Sequence, residues 1–425
     1  MGYARALTQV ASEATMRLPC GSARLFVAGL LLVVSATGHA AGAKRDPVVL
    51  TFSTVGDSRQ DPKGFDPASA DPATGQLTGQ DAHWLQNSRA LARILRGVSE
   101  QHAQLLFFNG DMIMGYGRAG VPPGWSATPP TVGQVAHADL VKDIAQYSFW
   151  RGMVAPLMEA GTYVVPVPGN HESQCNDANQ TDPYNQLPCA KGKHAVAENE
   201  AVWADSMGDL ILDAGRFREL FGEAPSNVAD AGSGMDGEAT DQSKLSYSFD
   251  FRGSHFVVIN TDPVGKTGEG GGLDSHAPVN WLSADLEAAA HRGIRHIFVF
   301  GHKMAFTYDF AGNGEFKAKG LDEDIPARDH FWALIERYHA TYFCGHEHVY
   351  DLRRPRGGAY QVLVGSGGSP FEVPVAAASA HPVTDRTYAW ATVRIHRSGL
   401  VELSTWGFSD HFGPTHRLER LALAH

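Results

Sequence analysis

The chain has 425 residues, 43% of them apolar and 19% charged, enough to bury a large ordered core and too apolar for global disorder. Its 35 Lys and Arg against 46 Asp and Glu leave a formal net charge of −11. That balance disfavours nucleic-acid scaffold binding and polybasic docking on a membrane, both of which need basic surface.

The first forty residues read as a leader. Arg17 and Arg24 precede an apolar run over 25–37, and small residues then offer cleavage after Ala40 or Ala43, the layout of a secretory signal peptide. An uncleaved anchor is the alternative, but the run falls short of the roughly 17 to 25 residues that a membrane span needs. The expectation is a periplasmic or secreted protein with no membrane anchor once residues 1–40 are removed.

Beyond the leader, apolar strands alternate with helical spacing. Strands are expected over 47–55, 104–108 and 162–167, with helices over 82–98 and 138–158 between them. The first helix places Leu85, Leu91, Ile94 and Leu95 on one side. One helix is expected over 197–220 and a Gly/Ala/Ser/Asp-rich surface loop over 224–243. A hairpin follows over 245–260 with its turn at Arg252-Gly253. A helix over 280–289, a strand over 296–300, a helix over 328–338 and a strand over 341–343 come next. Strands over 360–364, 388–396 and 400–405 close the series. This is α/β alternation, read as one layered domain over 46–410 with long surface insertions and a C-terminal tail over 411–425.

Cys20 lies in the leader. Cys175 and Cys189 sit in a polar loop and are expected to pair in an oxidising compartment, free thiols being the alternative. A cross-link over so short a loop contributes about 3 kcal/mol on the chain-entropy account. Cys344 ends an apolar strand and reads as buried.

The polar residues that matter fall where strands end. Gly56-Asp57, Gly110-Asp111, Gly169-Asn170-His171, Gly301-His302 and Gly345-His346-Glu347-His348 each follow an apolar run. In open α/β sheets ligands bind beyond the carboxyl ends of the strands, so these five ends should converge. The glycines are expected to supply the tight turns. Two Asp, one Asn and several His form a donor set of oxygen and imidazole large enough for two divalent ions. A small anionic substrate fits such a site, because bound cations invert the local electrostatics. No Gly-x-Ser-x-Gly elbow and no Gly-x-x-x-x-Gly-Lys-Ser/Thr loop is present, so serine-hydrolase and P-loop mechanisms lack their parts.

These blocks, together with Trp281-Leu-Ser-Ala-Asp-Leu running into Phe300-Gly-His302, make the chain resemble the calcineurin-like metallophosphoesterase superfamily, with features of its secreted purple acid phosphatase-like members. The resemblance implies a four-layer α/β/β/α sandwich of two mixed sheets. It implies two divalent or mixed-valence metal ions (Mn, Fe or Zn) and a small phosphorylated substrate. Asp57 would hold the first ion, Asp111 would bridge both, Asn170, His302 and His346 would hold the second, and His348 would return to the first. His171 would act as general acid or phosphate-oxygen donor. The activity implied is hydrolysis of phosphate esters, foremost monoesters, by attack of a metal-bridging hydroxide. The alternatives are a phosphodiesterase of the same fold, or a metal-binding non-catalytic protein with an incomplete first metal site.

One departure bears on that choice. Many members have Asp-x-His in the first block, with the His a metal ligand, whereas this chain has Asp57-Ser58-Arg59. A guanidinium has no acceptor and does not deprotonate, so it cannot replace that ligand. Purple acid phosphatases place a Tyr three residues past the second-block Asp, where this chain has Met114, with Tyr116 two residues later. The first ion is left with Asp57, Asp111 and His348, with water or Tyr116 completing the shell. Arg59 could instead grip a phosphate oxygen, or have a structural role. Glu172 and Glu347 are candidate acceptors orienting a ligand His, or solvated loop carboxylates.

Overall fold

A strand buried on both faces must be apolar at every position, and the strands that lead into the site read that way. The structure, a computed structural model, describes residues 46–59, 80–120, 138–176, 189, 192–266, 273–309, 317–374, 377 and 381–423. The expected signal peptide and most of the three long insertions (60–79, 121–137 and 177–188) lie outside the described residues.

In chain order the first elements are β1 (Val48–Val55), α1 (Gln80–Glu100), β2 (Leu105–Asn109), α2 (Asp139–Glu159) and β3 (Tyr163–Val167). A one-turn helix α3 (Asn170–Ser173) leads into the small ribbon β4 (Gln174–Cys175) and β5 (His194–Ala195), then α4 (Ala197–Met207) and α5 (Ala214–Phe221). The second half holds β6 (Ser226–Asp230), β7 (Tyr247–Phe251), β8 (Ser254–Val258), α6 (Val279–His291), β9 (His296–Phe300), α7 (Ile325–Arg337) and β10 (Thr341–Cys344). β11 (Tyr350–Arg353), β12 (Gln361–Val364), α8 (Pro382–Asp385), β13 (Thr387–His396), β14 (Val401–Ser409) and β15 (His416–Leu423) complete it.

The strands form two mixed sheets, ordered β15-β14-β13-β1-β2-β3 and β11-β12-β10-β9-β8-β7-β6. Strands β1, β2 and β3 run parallel, as do β8, β9, β10 and β12. The period of two in each strand divides its side chains between layers. Phe52, Phe107, Phe298, Phe300 and Phe343 point into the core between the sheets. Val55, Leu106 and Phe108 point outward under Leu91, Ile94, Trp150 and Trp203 of α1, α2 and α4. Ile297, Val299 and Tyr342 point outward under Leu282, Leu286, Phe331 and Ile335 of α6 and α7. This is the expected four-layer α/β/β/α sandwich. Phe52 is the hub between the sheets, edge-on to Phe107, Phe256, Phe298, Phe300 and Phe343 with centroids 4.8–5.9 Å away.

Three expectations need correction. The helix over 197–220 is two, because the chain turns through a single 3-10 turn at Gly208–Leu210 and restarts at Asp213, whose carboxylate accepts from the amides of Gly215 and Arg216. The surface loop over 224–243 contains β6, an edge strand paired antiparallel with β7. Its side chains are mostly exposed, so backbone pairing rather than apolar alternation makes it a strand. Residues expected as a C-terminal tail supply β15, which pairs with β14. The hairpin turn falls at Arg252-Gly253 as expected, both with positive φ. No helix among the described residues is long and apolar enough to cross a membrane.

A buried charge cluster pins α6 to the second sheet. His255 in β8 is fully buried between Asp250 of β7, 2.6 Å from Nδ1, and Asp285 of α6, 2.8 Å from Nε2. Burial opposes the charge on His255, but the two carboxylates outweigh it and raise its pKa above the ordinary 6.5. The stabilisation from this proton is therefore fully present below the ordinary histidine range and is lost as pH rises through the raised value. His255→Leu should cost about 3 kcal/mol at pH 6, since Asp285 loses its cation and keeps only Ser248, while Asp250 retains Arg292 and Asn227. Urea unfolding of the two proteins should show the gap narrowing as the pH is raised; a gap that widens would contradict this.

Candidate metal centre

The site is built where β1, β2 and β3 of one sheet and β9 and β10 of the other end side by side. The chain must turn sharply there, and the turn is made by the polar residues themselves. Asp57, Asp111 and His346 have φ of 62°, 52° and 76°, a left-handed backbone that costs about 1–2 kcal/mol for a residue with a Cβ. Of the five glycines that precede the ligands, only Gly110 has a positive φ. The others are required by crowding. A Cβ on Gly345 would stand 2.2 Å from Asp57 Oδ2, and one on Gly169 would stand 2.5 Å from Asp111 Oδ1. The expectation that glycine supplies the turns is thereby corrected: glycine mainly supplies the room.

Four donor atoms meet at one point. His302 Nε2 lies 3.1 Å from Asp111 Oδ1, 2.9 Å from Asn170 Oδ1 and 3.1 Å from His346 Nδ1, and His346 Nδ1 lies 2.8 Å from Asn170 Oδ1. His302 Nδ1 faces the carbonyl of Asn109 at 2.8 Å and must donate to it. In the neutral ring Nε2 then carries a lone pair. Asn170 Nδ2 donates to the Tyr116 hydroxyl, which turns Oδ1 toward the imidazoles. Lone pairs facing one another at these distances call for a cation between them. Donor atoms about 2.0–2.1 Å from an octahedral ion stand about 3 Å from their neighbours, so this donor set fits a divalent metal. Without one, a proton on His302 takes the role. Burial opposes that proton, yet Asp111 and Asp57 outweigh it and push the pKa up to about 9. Asp111 stays well below the usual carboxylate range, because His171, His302 and Arg59 overcome its burial.

The neighbouring group of donors, Asp57, Asp111 and His348, has ligand atoms within 4.8 Å of one another. Arg59 lies against them. Its Nε is 3.5 Å from Asp111 Oδ2, its Nη2 is 3.4 Å from His348 Nε2, and Nη1 reaches Met114 Sδ at 3.6 Å. His348 Nδ1 donates to the carbonyl of Pro370, so its Nε2 lone pair receives the guanidinium. Burial, followed by Arg59, pulls the His348 pKa down to about 4 and keeps the ring neutral. Two of the three donors thus already face a fixed cation, and a metal ion does not fit there while Arg59 keeps this position. Tyr116 does not complete this shell. Its hydroxyl accepts from Asn170 and from Lys193 on the other side of Asp111.

His171 packs its ring on Tyr116 with centroids 3.8 Å apart and donates from Nδ1 to the carbonyl of Met114. Its Nε2 stands 3.6 Å from Asp111 Oδ2. Burial and then Arg59 hold its pKa well below 6.5. All eight residues singled out from the sequence therefore share one crevice. Glu172 and Glu347 touch backbone instead of a ligand ring. Glu172 accepts from the amides of Asp111, Met112, Ile113 and Gly169 at 2.8–3.2 Å, clamping two ligand-bearing turns together. Glu347 accepts from the amide of Tyr308. Sequence reasoning missed Lys193, whose polar insertion has no periodicity; its position just past Cys189 was the only signal. Cys175 and Cys189 are bonded as a disulfide beside His194, and Cys344 is buried and unpaired.

No protein-family model matches the chain, and no curated protein matches it. Among solved structures it is similar to a purple acid phosphatase from yellow lupin (Lupinus luteus) seeds, with 14% identity and a TM-score of 0.46 over 88% of this chain and 53% of the other. The chain thus spans about half the length of that protein. It is similar to a dimetal phosphatase from Danio rerio, with 11% identity and a TM-score of 0.43 over 89% of this chain and 99% of the other. A 5′-nucleotidase from Candida albicans has 11% identity and a TM-score of 0.31 over 82% of this chain and 50% of that one.

The Glu172 clamp gives a direct test. Glu172→Ala frees four backbone amides around Asp111 and should weaken Mn²⁺ binding about 10- to 100-fold by calorimetry, as loss of a group that orients a ligand does. Unchanged affinity would show that Asp111 is positioned by other means.

Proposed function

We propose that the chain binds one divalent metal ion at Asp111, Asn170, His302 and His346 and a phosphate ester beside it, with Arg59 standing where the resemblance puts the first of two ions. The observation that carries this reading is the guanidinium between Asp111 and His348. The oxygen and imidazole donors suit Mn, Fe or Zn. A bound ion would supply Lewis-acid polarisation of a phosphoryl oxygen. Arg59 would offer its fork of donors to the phosphoryl oxygens from the side opposite the ion. Burial, and after it the same residue, keeps His171 neutral; a phosphate dianion between them would offset the guanidinium's share, and His171 would then hold a proton toward a phosphate or leaving-group oxygen. The Cys175–Cys189 disulfide supports a periplasmic or extracellular setting.

The centre so described favours a metal-binding protein with an incomplete first site over a two-metal phosphomonoesterase. The placement of His171 and Arg59 against Asp111 supports a second reading, a one-metal phosphodiesterase. Rates on an aryl phosphate monoester and its matching diester, titrated with Mn²⁺, separate these. The account expects Mn²⁺-dependent binding of both esters and slow turnover, which Arg59→His should raise by about tenfold or more by opening the first site. Diester turnover well above monoester turnover in the unaltered chain would support the second reading. Rapid monoester hydrolysis by the unaltered chain, lowered by Arg59→His, would overturn the proposal.

A further inference from the structure

We infer that the phosphate ester bound here carries a second anionic group, a carboxylate or another phosphate, received by a lysine-walled cavity next to the metal ligands; the inference rests on the phosphate-ester reading above. The cavity has a volume of about 300 Å³ and is bounded on one side by Asn170 and His346, two of the four ligands of the metal centre. Lys193, Lys303, Lys317 and Lys319 line much of the rest, beside Gln174 and Ala318, with Asp274 and Glu323 as the acidic residues of its wall. The chain has only ten lysines in 425 residues and a net charge of −11, so four lysines around one small cavity run against its composition.

Two of these lysines are already compensated. Lys303 Nζ lies 2.7 Å from Asp262 Oδ1 and donates to Ser275 Oγ at 2.9 Å. Lys319 Nζ reaches Glu372 at 3.3 Å and Glu347 at 3.6 Å. Lys193 and Lys317 have no carboxylate at ion-pair distance among the described residues. Lys193 is held, nonetheless. Its Nζ sits over the Tyr116 ring, 4.0 Å from the centroid, and donates to the hydroxyl that orients Asn170. Its backbone adjoins the β4–β5 ribbon, where Cys175 pairs with His194 and is bonded to Cys189. A positioned cation with no carboxylate at ion-pair distance among the described residues, feeling Asp111 and Asp262 only from further away and one residue removed from a metal ligand, is a receptor for an anion. The wall carboxylates are engaged in turn: Asp274 accepts from Gln174 and Glu323 from Ser275. The volume sits at the lower end for small-molecule sites, which limits the ligand to a compact molecule with two anionic ends.

Calorimetry on the Mn²⁺-loaded full chain can decide this with three probes of one backbone: ethyl phosphate, 2-phosphoglycolate and ethane-1,2-diol bisphosphate. At least one doubly anionic probe should bind tenfold or more tighter than ethyl phosphate, and the larger gain identifies the second group as carboxylate or phosphate. Lys317→Ala should cut that gain threefold or more, and Lys317→Arg should restore it. Because the reading is a ratio within one protein, partial misfolding does not mimic it. Equal binding of all three probes, or a gain undiminished in Lys317→Ala, overturns the second-anion subsite alone. Failure of all three to bind overturns the phosphate-ester reading and this inference with it.

Discussion

Asp111 is a carboxylate buried to 1% exposure with three cationic or protonatable groups around it, and the rest of the crevice is arranged to keep it charged. His302 approaches Oδ1, while His171 and Arg59 both approach Oδ2. An isolated carboxylate at this depth would take up a proton, so its charge exists only because positive charge is held within a few ångströms. Meeting that condition draws ligands from strands of two different sheets to one line. It also accounts for the left-handed backbone at Asp57, Asp111 and His346 and for the four amides gathered by Glu172. The aromatic packing around Phe52 keeps the two sheets together beneath the crevice.

Arg59 changes what kind of centre this is. A metal ion exchanges with solution, polarises its ligands and accepts further donors. A guanidinium is tethered, always protonated and can only donate. With Arg59 between Asp111 and His348, one positive charge beside Asp111 is covalent and permanent, whereas one carried by a metal ion at His302 would depend on metal supply. The positive character continues past Asn170 and His346 into the lysine-walled cavity, so an acidic protein presents a locally basic receptor.

Much of this was legible in the residues. Strands buried on both faces appear as unbroken apolar runs, and the small residue followed by a ligand at each end marked Asp57, Asp111, Asn170, His302, His346 and His348 before any geometry was known. The Asp57-Ser58-Arg59 departure was legible too, though not where Arg59 would sit. What escaped has physical causes. β6 is an edge strand with mostly exposed side chains, and in β15 an irregularity in its pairing with β14 sets Leu418 and Leu421 three apart, so neither shows a clean apolar alternation. The split of the helix over 197–220 depends on one cap at Asp213. Glycine beside each ligand signalled a special backbone, but only packing against Asp57 and Asp111 shows that the need is space. The roles of Tyr116, Glu172 and Lys193 come from contacts across 50 residues or more, which spacing along a chain does not encode.

The number of metal ions held per chain distinguishes a guanidinium from a second ion at Asp111 and His348. The unaltered protein and Arg59→His, each dialysed to equilibrium against Mn²⁺ and assayed for bound metal, should hold one ion and two ions per chain. Two ions in the unaltered protein would contradict the account, because a second ion cannot share Asp111 and His348 with the guanidinium where it stands.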